Sequence, residues 1–310
     1  MSTLARVVQQ QAVKRGKMFA LLSPYENVRL TYQQLENVSR KCAMTLQSKY
    51  RVERGDAILS DLPNVVANLV LQLACSRLGA AYATAKNVEA ARALCDRVAI
   101  KATVSADHET WADLDDIPRL PHDEIVGDAD VALVGSDDYF CADDGANVHS
   151  YFGGVALSSQ RVVDLGRGTA ERLYIDANDK SCVSITLCHS FGIGNAVAGT
   201  FHAGGKVLLP AVGGIRGCGN PLERASATFA SLKDAQCTLL FADTHTLNAL
   251  PDVPPGAEHE NDLLPLFRGG VCKVGSGEDF LDLDHVKYYA GAPLIALGKK
   301  KVAVVNEAAA

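Results

Sequence analysis

Apolar positions along the chain follow two periods, that of an amphipathic helix and that of a buried strand. Residues 4–16 repeat apolar side chains at helical spacing, and residues 65–78 are apolar almost without interruption before Gly79. Residues 57–62 and 80–84, which flank the second segment, are short apolar runs typical of buried strands. Strands that alternate with buried helices predict βαβ units and a mostly parallel sheet.

The same pattern continues along the rest of the chain. Thr31 and Gln34 have the spacing of a capping box and predict a helix over residues 33–49. Further helices are predicted at 89–99, 158–173, 191–201, 222–235, 244–250 and 282–290. Further strands are predicted at 19–22, 102–105, 131–134, 139–141, 155–157, 181–187, 205–209, 237–242, 271–274 and 294–297. The acidic stretch 107–130 contains two prolines and is predicted to be a surface excursion.

These elements predict an α/β fold of layered, parallel-rich sheets covered by helices. We expect a single domain over residues 1–310, and a division into subdomains 1–150 and 151–310 stays open. Hydrophobic residues make up 48% of the chain, which is enough for a large core. The net charge of -6 argues against wrapping nucleic acid. No apolar run has the length needed to span a bilayer.

The cysteines give no sign of a metal site. There are nine of them, and no two have the C-x-x-C spacing of a zinc ribbon or a thioredoxin-type site. Most lie among apolar residues, which is typical of buried, reduced thiols. A reducing compartment follows from this interpretation.

Several short segments, taken in order, resemble one enzyme superfamily. L-T-Y-Q-Q-L at 30–35 resembles an L-T-Y-x-E-L entry, and V-E-R-G-D at 52–56 resembles V-x-x-G-D. G-V-A-L-S at 154–158 resembles G-V-x-x-S, and L-C-H-S-F-G at 187–192 resembles P-L-F-H-x-x-G. With the A-G-G at 203–205, these segments resemble the N-terminal domain of the adenylate-forming enzymes. That superfamily includes acyl-CoA synthetases, luciferase and the adenylation domains of peptide synthetases.

The chain departs from this superfamily where ATP would bind. The resemblance implies a Ser/Thr/Gly-rich loop ending in P-K-G, whose amides and lysine hold phosphates. The corresponding stretch runs from Gly145 to Gly154, with Gly153 at the lysine position and Val148 and His149 at threonine positions. Bulky residues at 151 and 152 add to these losses. We therefore expect a degenerate phosphate loop that does not hold ATP.

A second departure concerns magnesium. The resemblance implies Y-G-T-T-E after a late strand, with the glutamate on Mg²⁺, but the chain has L-G-K-K-K at 297–301. Lys301 stands at the carboxylate position, and an ammonium group cannot coordinate Mg²⁺. The sequence ends at Ala310, so we expect the mobile C-terminal domain with its catalytic lysine to be absent. Together these departures predict a pseudoenzyme with no catalytic residue, cofactor or metal.

Two alternatives stay open for His189. It is either a structural histidine or, with Gly192, part of a vestigial acyl pocket, because the resemblance places this segment beside that pocket. Gly192, Gly194 and Gly199 do not have the spacing of a dinucleotide fingerprint, so helix packing is the better explanation. The glycines at 275 and 277 precede two acidic residues and predict a turn.

The expected function is that of a structural or accessory subunit of a large multiprotein complex. We expect a mitochondrial location, because the first 25 residues have basic but no acidic side chains, and otherwise a cytoplasmic one. A respiratory or ATP-synthase-type complex is favoured, with protein subunits as partners and no direct contact with nucleic acid. The lysines at 299–301 leave peripheral proximity to a membrane open. The alternatives are an acyl- or CoA-binding module, a peripheral mitoribosomal or assembly-factor protein, and an enzyme with an unorthodox site.

Overall fold

A computed structural model describes residues 3–106, 110–111, 113–114, 116–127, 147–210, 220–253 and 263–300. The predicted strands at 131–134 and 139–141 lie outside these residues, as do Gly145, Lys301, Cys141 and Cys218. Within the described ranges, no helix is long and apolar enough to cross a membrane.

The elements alternate along the chain as the hydrophobic pattern predicts. The helices are α1 (Leu4–Arg15), α2 (Tyr32–Tyr50), α3 (Val66–Leu78), α4 (Val88–Cys95), α5 (Ser159–Leu173), a π-helix (Phe191–Ala198), α6 (Gly199–Ala203), α7 (Pro221–Asp234) and α8 (Thr244–Ala249). The first strands are β1 (Phe19–Ser23), β2 (Val28–Thr31), β3 (Ala57–Ser60), β4 (Ala81–Ala83), β5 (Ile100–Val104), β6 (Val148–Phe152) and β7 (Val155–Ser158). The later strands are β8 (Lys180–Ser184), β9 (Lys206–Leu208), β10 (Leu239–Asp243), β11 (Gly269–Lys273), β12 (Asp279–Phe280), β13 (Lys287–Tyr289) and β14 (Ala292–Gly298).

The strands form two sheets. The nine-stranded sheet has the order β12-β14-β11-β10-β8-β9-β1-β2, with β13 also paired to β14, and the five-stranded sheet has the order β5-β3-β4-β6-β7. The inner strands of both sheets pair in parallel. Antiparallel pairs are confined to β1–β2, β6–β7, β12–β14 and β13–β14. The predicted α/β fold with two parallel-rich sheets is confirmed.

Helices α1, α2, α3, α5 and α6 lie between the two sheets. The largest core cluster joins their apolar faces to Ile58 of the five-stranded sheet and to Val183 of the nine-stranded sheet. Helices α7 and α8 cover the outer face of the larger sheet, and α4 covers the outer face of the smaller one. The molecule therefore has five layers, in the order helix, sheet, helix, sheet, helix. The division into subdomains 1–150 and 151–310 stays a prediction.

The ends of the inner helices explain why they form where the sequence predicts them. Thr31 and Gln34 form the predicted capping box at the start of α2. Helix α3 begins after Val65, which has no capping side chain, and the Glu26 carboxylate accepts a 2.8 Å hydrogen bond from the Val66 amide instead. Gly79 ends α3 with φ 67°, a conformation that glycine adopts without strain.

The described residues between 110 and 127 are not simply the surface excursion that the sequence predicts. Trp111, Leu120 and Ile125 are buried, and the Trp111 indole donates a 3.1 Å hydrogen bond to the Val104 carbonyl. Arg119 also makes a parallel bridge to Thr103 beside β5. Their irregular spacing between acidic residues and prolines gave no helical or strand period, so the sequence did not reveal that they are buried.

The predicted helix at 282–290 is wrong. Leu283–His285 forms one 3-10 turn, and the next residues form β13, which pairs antiparallel with β14. Ala290 and Gly291 make the connecting two-residue turn, with φ of 48° and 77°. A tight hairpin of this kind needs positive φ at both positions. The Tyr289 hydroxyl donates a 3.0 Å hydrogen bond to the Pro251 carbonyl and holds the hairpin to the body of the domain.

Candidate functional site

The stretch that corresponds to a phosphate loop is a tight β-hairpin where the structure describes it. Strand β6 turns into β7 at Gly153 and Gly154, which have φ of 56° and 79°. A two-residue turn with positive φ at both positions explains the two glycines. The Gly154 carbonyl accepts a 3.0 Å hydrogen bond from Arg97, which fixes the tip. Val148 lies at the start of β6, and Gly145 lies outside the described residues.

Strand β6 is hydrogen-bonded on both sides. It pairs in parallel with β4 on one side and antiparallel with β7 on the other. The Thr84 amide extends the first ladder with a 3.0 Å hydrogen bond to the Tyr151 carbonyl. A phosphate-binding loop needs several backbone amides that point together at the anion, and β6 instead uses its backbone in the sheet.

His149 is part of the core. Its side chain is fully buried, and Nε2 lies 3.2 Å from the Gln72 side-chain oxygen on α3. Gln72 in turn donates hydrogen bonds to Asn68 and to the Leu187 carbonyl. Burial lowers the pKa of His149 to about 4, so the ring is neutral near pH 7. A neutral, buried ring does not offer the charge that would attract a phosphate.

His189 lies against the tip of the hairpin. The His189 and Phe152 rings meet edge to face with centroids 5.3 Å apart. His189 Nδ1 accepts a 3.1 Å hydrogen bond from the Phe191 amide at the start of the π-helix. Burial, and then the charge of Lys273, lower the pKa of His189. These contacts place His189 at the junction of the hairpin with the larger sheet, and its structural role and the vestigial acyl pocket both stay predictions.

Three charged residues complete this junction, and sequence reasoning missed all of them. Arg161 of α5 donates two hydrogen bonds, of 3.0 and 3.2 Å, to one carboxylate oxygen of Glu278. Burial raises the pKa of Glu278, but hydrogen bonds from Ser190 and Arg161 outweigh it and hold the pKa below its usual range. Lys273, the last residue of β11, donates to the Gly277 carbonyl. Each of the three is a single charge outside any recognisable motif.

We call Phe152, Arg161, His189, Lys273 and Glu278 the carboxyl-end cluster. It lies at the carboxyl ends of the parallel strands, the edge where α/β folds commonly bind ligands. Its charges are neutralised mainly within the cluster, and its one aromatic contact covers the histidine. The arrangement provides an ion pair and a neutral imidazole whose Nδ1 accepts from the Phe191 amide and lies 3.4 Å from the Ser190 hydroxyl.

Gly192 serves close packing. A Cβ atom at this position would lie 2.0 Å from the Thr186 carbonyl oxygen, so no larger residue fits here. A Cβ on Gly194 would lie 2.9 Å from the Leu165 side chain, and one on Gly199 would lie 3.2 Å from the Gly166 carbonyl oxygen. The close neighbours of Gly194 and Gly199 are residues of helix α5, as the prediction of helix packing requires, whereas the close neighbour of Gly192 is the backbone after β8.

The degenerate magnesium position follows the last strand. A Cβ on Gly277 would lie 2.6 Å from backbone atoms of Gly298 and Lys299, so the predicted turn at 275–277 packs directly on the end of β14. Gly275 and Gly277 have φ of 72° and 97°, which confirms the turn. Lys301 lies outside the described residues.

Metal-binding side chains do not cluster in the described part of the chain. No group of three His, Cys, Asp or Glu side chains there could hold an ion. Seven cysteines are described, all as free thiols, and five of them are buried. Burial raises the pKa of Cys75 to about 12, so this thiol stays protonated and unreactive near pH 7.

A family comparison supports the resemblance found in the sequence. Residues 8–133 match the family model of the AMP-binding enzymes. An acetyl-coenzyme A synthetase of Helicobacter pylori is 30% identical over 69 residues, which is 22% of this chain. The matched segment is only 10% of the length of that relative. The resemblance to the adenylate-forming superfamily is confirmed at this level.

Solved structures share the fold. The inhibitor-bound N-terminal domain of FACL13 from Mycobacterium tuberculosis superposes with a TM-score of 0.67 and 15% identity, over 88% of this chain and 70% of that one. A fatty acyl CoA synthetase of the same organism gives 0.66 and 16%, over 89% and 55%. The NpsA N-terminal subdomain of Klebsiella oxytoca, in complex with 3-hydroxybenzoyl-AMSN, gives 0.67 and 12%, over 91% and 67%. The protein therefore has the fold of the N-terminal domains of these enzymes.

Proposed function

Starting from a fold shared with the N-terminal domains of acyl-CoA synthetases, we propose that this protein is a pseudoenzyme that serves as a structural or accessory subunit. Its partners would be the other protein subunits of a large mitochondrial complex, with a respiratory or ATP-synthase-type complex favoured. The observation that carries the proposal is the β6–β7 hairpin, whose Phe152 ring packs on His189.

The described residues at the phosphate-loop position do not fit a nucleoside triphosphate. Strand β6 is paired on both sides, and its turn is two residues long. A Cβ on Gly153 would meet no atom within 4 Å, so the tip faces open space. Gly153 has no side chain to stand in for the lysine that the superfamily places here.

The outer strand of the smaller sheet offers a surface for a partner subunit. Strand β7 is the last strand in that sheet, and Val155 on it is 71% exposed. Next to it, Phe152 is 41% exposed although it contacts His189. An exposed edge strand with apolar side chains is a template for pairing with another chain. In the proposed complex, a partner subunit covers this edge.

Native-size fractionation of the endogenous protein from isolated mitochondria, with mass spectrometry of comigrating proteins, tests this function. We expect comigration at high mass with a constant set of proteins in fixed ratio. Recovery as a free chain of about its own 32.9 kDa would contradict the proposal. Recovery outside mitochondria would contradict the location.

A matched pair of variants tests the docking edge. Val155→Lys should release the protein from the complex without lowering its own melting temperature, because Val155 makes few contacts within the chain. Leu283→Lys is the control, since Leu283 is 84% exposed but lies in a turn beside the larger sheet. Assembly that tolerates Val155→Lys as well as the control would exclude β7 as the docking edge.

A second candidate function, binding of an acyl or CoA compound, has one observation in its favour. Among the described residues, His149 Nδ1 and Ser150 Oγ are buried without a hydrogen-bond partner. Buried polar atoms of this kind are usually satisfied by water or a ligand. An acyl compound in the mass spectrum of the gently purified protein would favour this function. Pyrophosphate release from ATP in the presence of fatty acids would instead show an active enzyme.

A further inference from the structure

A groove lies on the outer face of the larger sheet, beside α7, and includes the amino ends of β8 and β9. Its volume is about 670 Å³, and it lies between β1, β2 and β9 on one side and α7 on the other. Lys180 and Lys206, the first residues of β8 and β9, both line it. Pockets of this size commonly bind small molecules. We call it the amino-end groove.

Two like charges sit side by side in this groove. Lys180 and Lys206 are direct partners in the parallel ladder between β8 and β9. Like charges placed opposite each other destabilise a sheet. Burial, and then the charge of Lys180, lower the pKa of Lys206, although Asp179 and Asp176 act against this. The strand pairing thus places two cations side by side, and an anion bound between them would add to the favourable charge of Asp176 and Asp179.

The hydrogen bonds of the two ammonium groups leave room for such an anion. Lys180 donates to the Ala235 carbonyl, and Lys206 donates to the Ala177 carbonyl at 3.0 Å. Lys206 also lies 3.4 Å from the Asn178 carbonyl oxygen. Each ammonium has three donors, so within the described part of the chain neither lysine uses its full capacity on these carbonyls. Carbonyl oxygens carry no net charge, so they orient the lysines without neutralising them.

The rest of the lining combines positive charge with apolar surface. Arg29 adds a third cation, and Asp234 is the only acidic residue in the lining. Phe19, Leu22, Val28 and Leu208 contribute the apolar surface. Leu22 on β1 pairs with Leu208 on β9, the strand that also carries Lys206. A ligand that matches this lining carries negative charge at one end and an apolar chain at the other.

We propose that the amino-end groove binds a small amphiphilic anion, a carboxylate with a short aliphatic tail. The carboxylate lies between Lys180 and Lys206, and the tail lies on Phe19 and Leu22. The two oxygens of a carboxylate can each accept from one lysine, and such charge-assisted bonds are among the strongest that proteins make. This site is separate from the carboxyl-end cluster and does not depend on the proposed structural role.

Isothermal titration calorimetry with octanoate tests the site on the full chain. Octanoate should bind at one site per chain. Inorganic phosphate, which lacks the apolar tail, and octanol, which lacks the negative charge, should each bind at least about tenfold more weakly. The double variant Lys180→Gln/Lys206→Gln should lose about tenfold or more in affinity. Lys287→Gln, an exposed lysine on β13, is the matched control and should bind as the unmodified protein does.

The outcomes separate binding in the amino-end groove from binding at the carboxyl-end cluster. Binding lost in Phe152→Ala but kept in the double lysine variant would place octanoate at the carboxyl-end cluster and overturn the proposal. If phosphate bound as tightly as octanoate, the proposal that the ligand is amphiphilic would be overturned. If the double variant does not fold, acetic anhydride labelling of the unmodified protein decides the question. Octanoate should then protect Lys180 and Lys206 but not Lys287, and equal labelling with and without octanoate would also overturn the proposal.

Discussion

His149 and Phe152 show how single residues decide the chemistry of a site. In the sequence both stand at positions of a degenerate phosphate loop, and in the structure they serve different purposes. His149 points into the core toward Gln72, while Phe152 packs on His189 in the carboxyl-end cluster. Alternation of side chains along β6, with an irregularity between Val148 and Ser150, separates the two. The residues that depart from the superfamily's pattern in this stretch therefore make packing contacts in the structure.

The burial of His149 predicts a pH dependence of stability. Its folded pKa is lowered to about 4, while an unfolded histidine titrates near 6.5, so the unfolded chain binds a proton first as pH falls. Stability should therefore decrease between about pH 6.5 and pH 4, by an amount on the order of 3 kcal/mol from this residue. Urea unfolding at pH 7, 6 and 5 measures it.

Two histidine variants isolate this effect from that of the carboxyl groups. His149→Gln should flatten the stability curve in that pH range because it removes the titrating group. His285→Gln, at an exposed position, should leave the slope unchanged. Parallel curves for His149→Gln and the unmodified protein would show that His149 does not control the acid sensitivity.

At the scale of elements, α5 and the π-helix cross at close range. A Cβ on Gly166 would lie 2.7 Å from Ala198 and 2.9 Å from the Gly199 amide nitrogen. Asn195 of the π-helix donates a 2.9 Å hydrogen bond to Thr169 of α5 across the same contact. Small residues on both helices allow this approach, so the glycines in the π-helix belong to an architectural feature.

Two glycines in the same helix provide a matched test of this contact. Gly166→Ala should destabilise the protein by about 1–3 kcal/mol, because the added methyl group meets backbone that cannot move freely. Gly168→Ala should instead stabilise it by about 0.5–1 kcal/mol, since a Cβ there meets nothing within 4 Å and alanine favours helix. Thermal unfolding of both variants measures the difference. Equal effects would mean that the crossing relaxes to admit a methyl group.

Elements with a strong period could be predicted from the sequence, and the cluster at the strand ends could not. Helix α2 has an apolar stripe and a capping box, α3 is apolar and ends at Gly79, and both form within a few residues of their predicted bounds. Strand β6 was missed because its residues were interpreted as a loop by analogy with the superfamily. Arg161 and Glu278 are more than a hundred residues apart in sequence and meet only in the folded chain. No local sequence pattern predicts such a pair.

At the scale of the whole molecule, a few polar contacts join the two sheets across the helical layer. Asn64, which follows β3, donates a 2.6 Å hydrogen bond to the Ile185 carbonyl and accepts a 3.1 Å one from the Leu187 amide. Gln72 also reaches the Leu187 carbonyl, and the shared core continues between the sheets. These links favour unfolding of both sheets together.

Calorimetry tests this coupling. We expect one unfolding transition, and Asn64→Ala should lower stability by about 2 kcal/mol while keeping a single transition, since two hydrogen bonds are lost. Asn37→Ala is the control, because Asn37 bonds only to Gln33 on the exposed face of α2, and its cost should stay within about 0.5 kcal/mol. Two separate transitions would support the division into subdomains 1–150 and 151–310.

The place of β1 in the larger sheet has a consequence for synthesis on the ribosome. Leu21 and Leu22 of β1 pair with Val207 and Leu208 of β9, so the first hairpin meets its partner only late in translation. All five strands of the smaller sheet, which end at Ser158, leave the exit tunnel in between. The edge of β1 in the nascent β1–β2 hairpin therefore stays unpaired until β9 has been synthesised. Chaperones protect exposed edges of this kind. The large sequence separation between β1 and β9 predicts slow folding of the nascent chain.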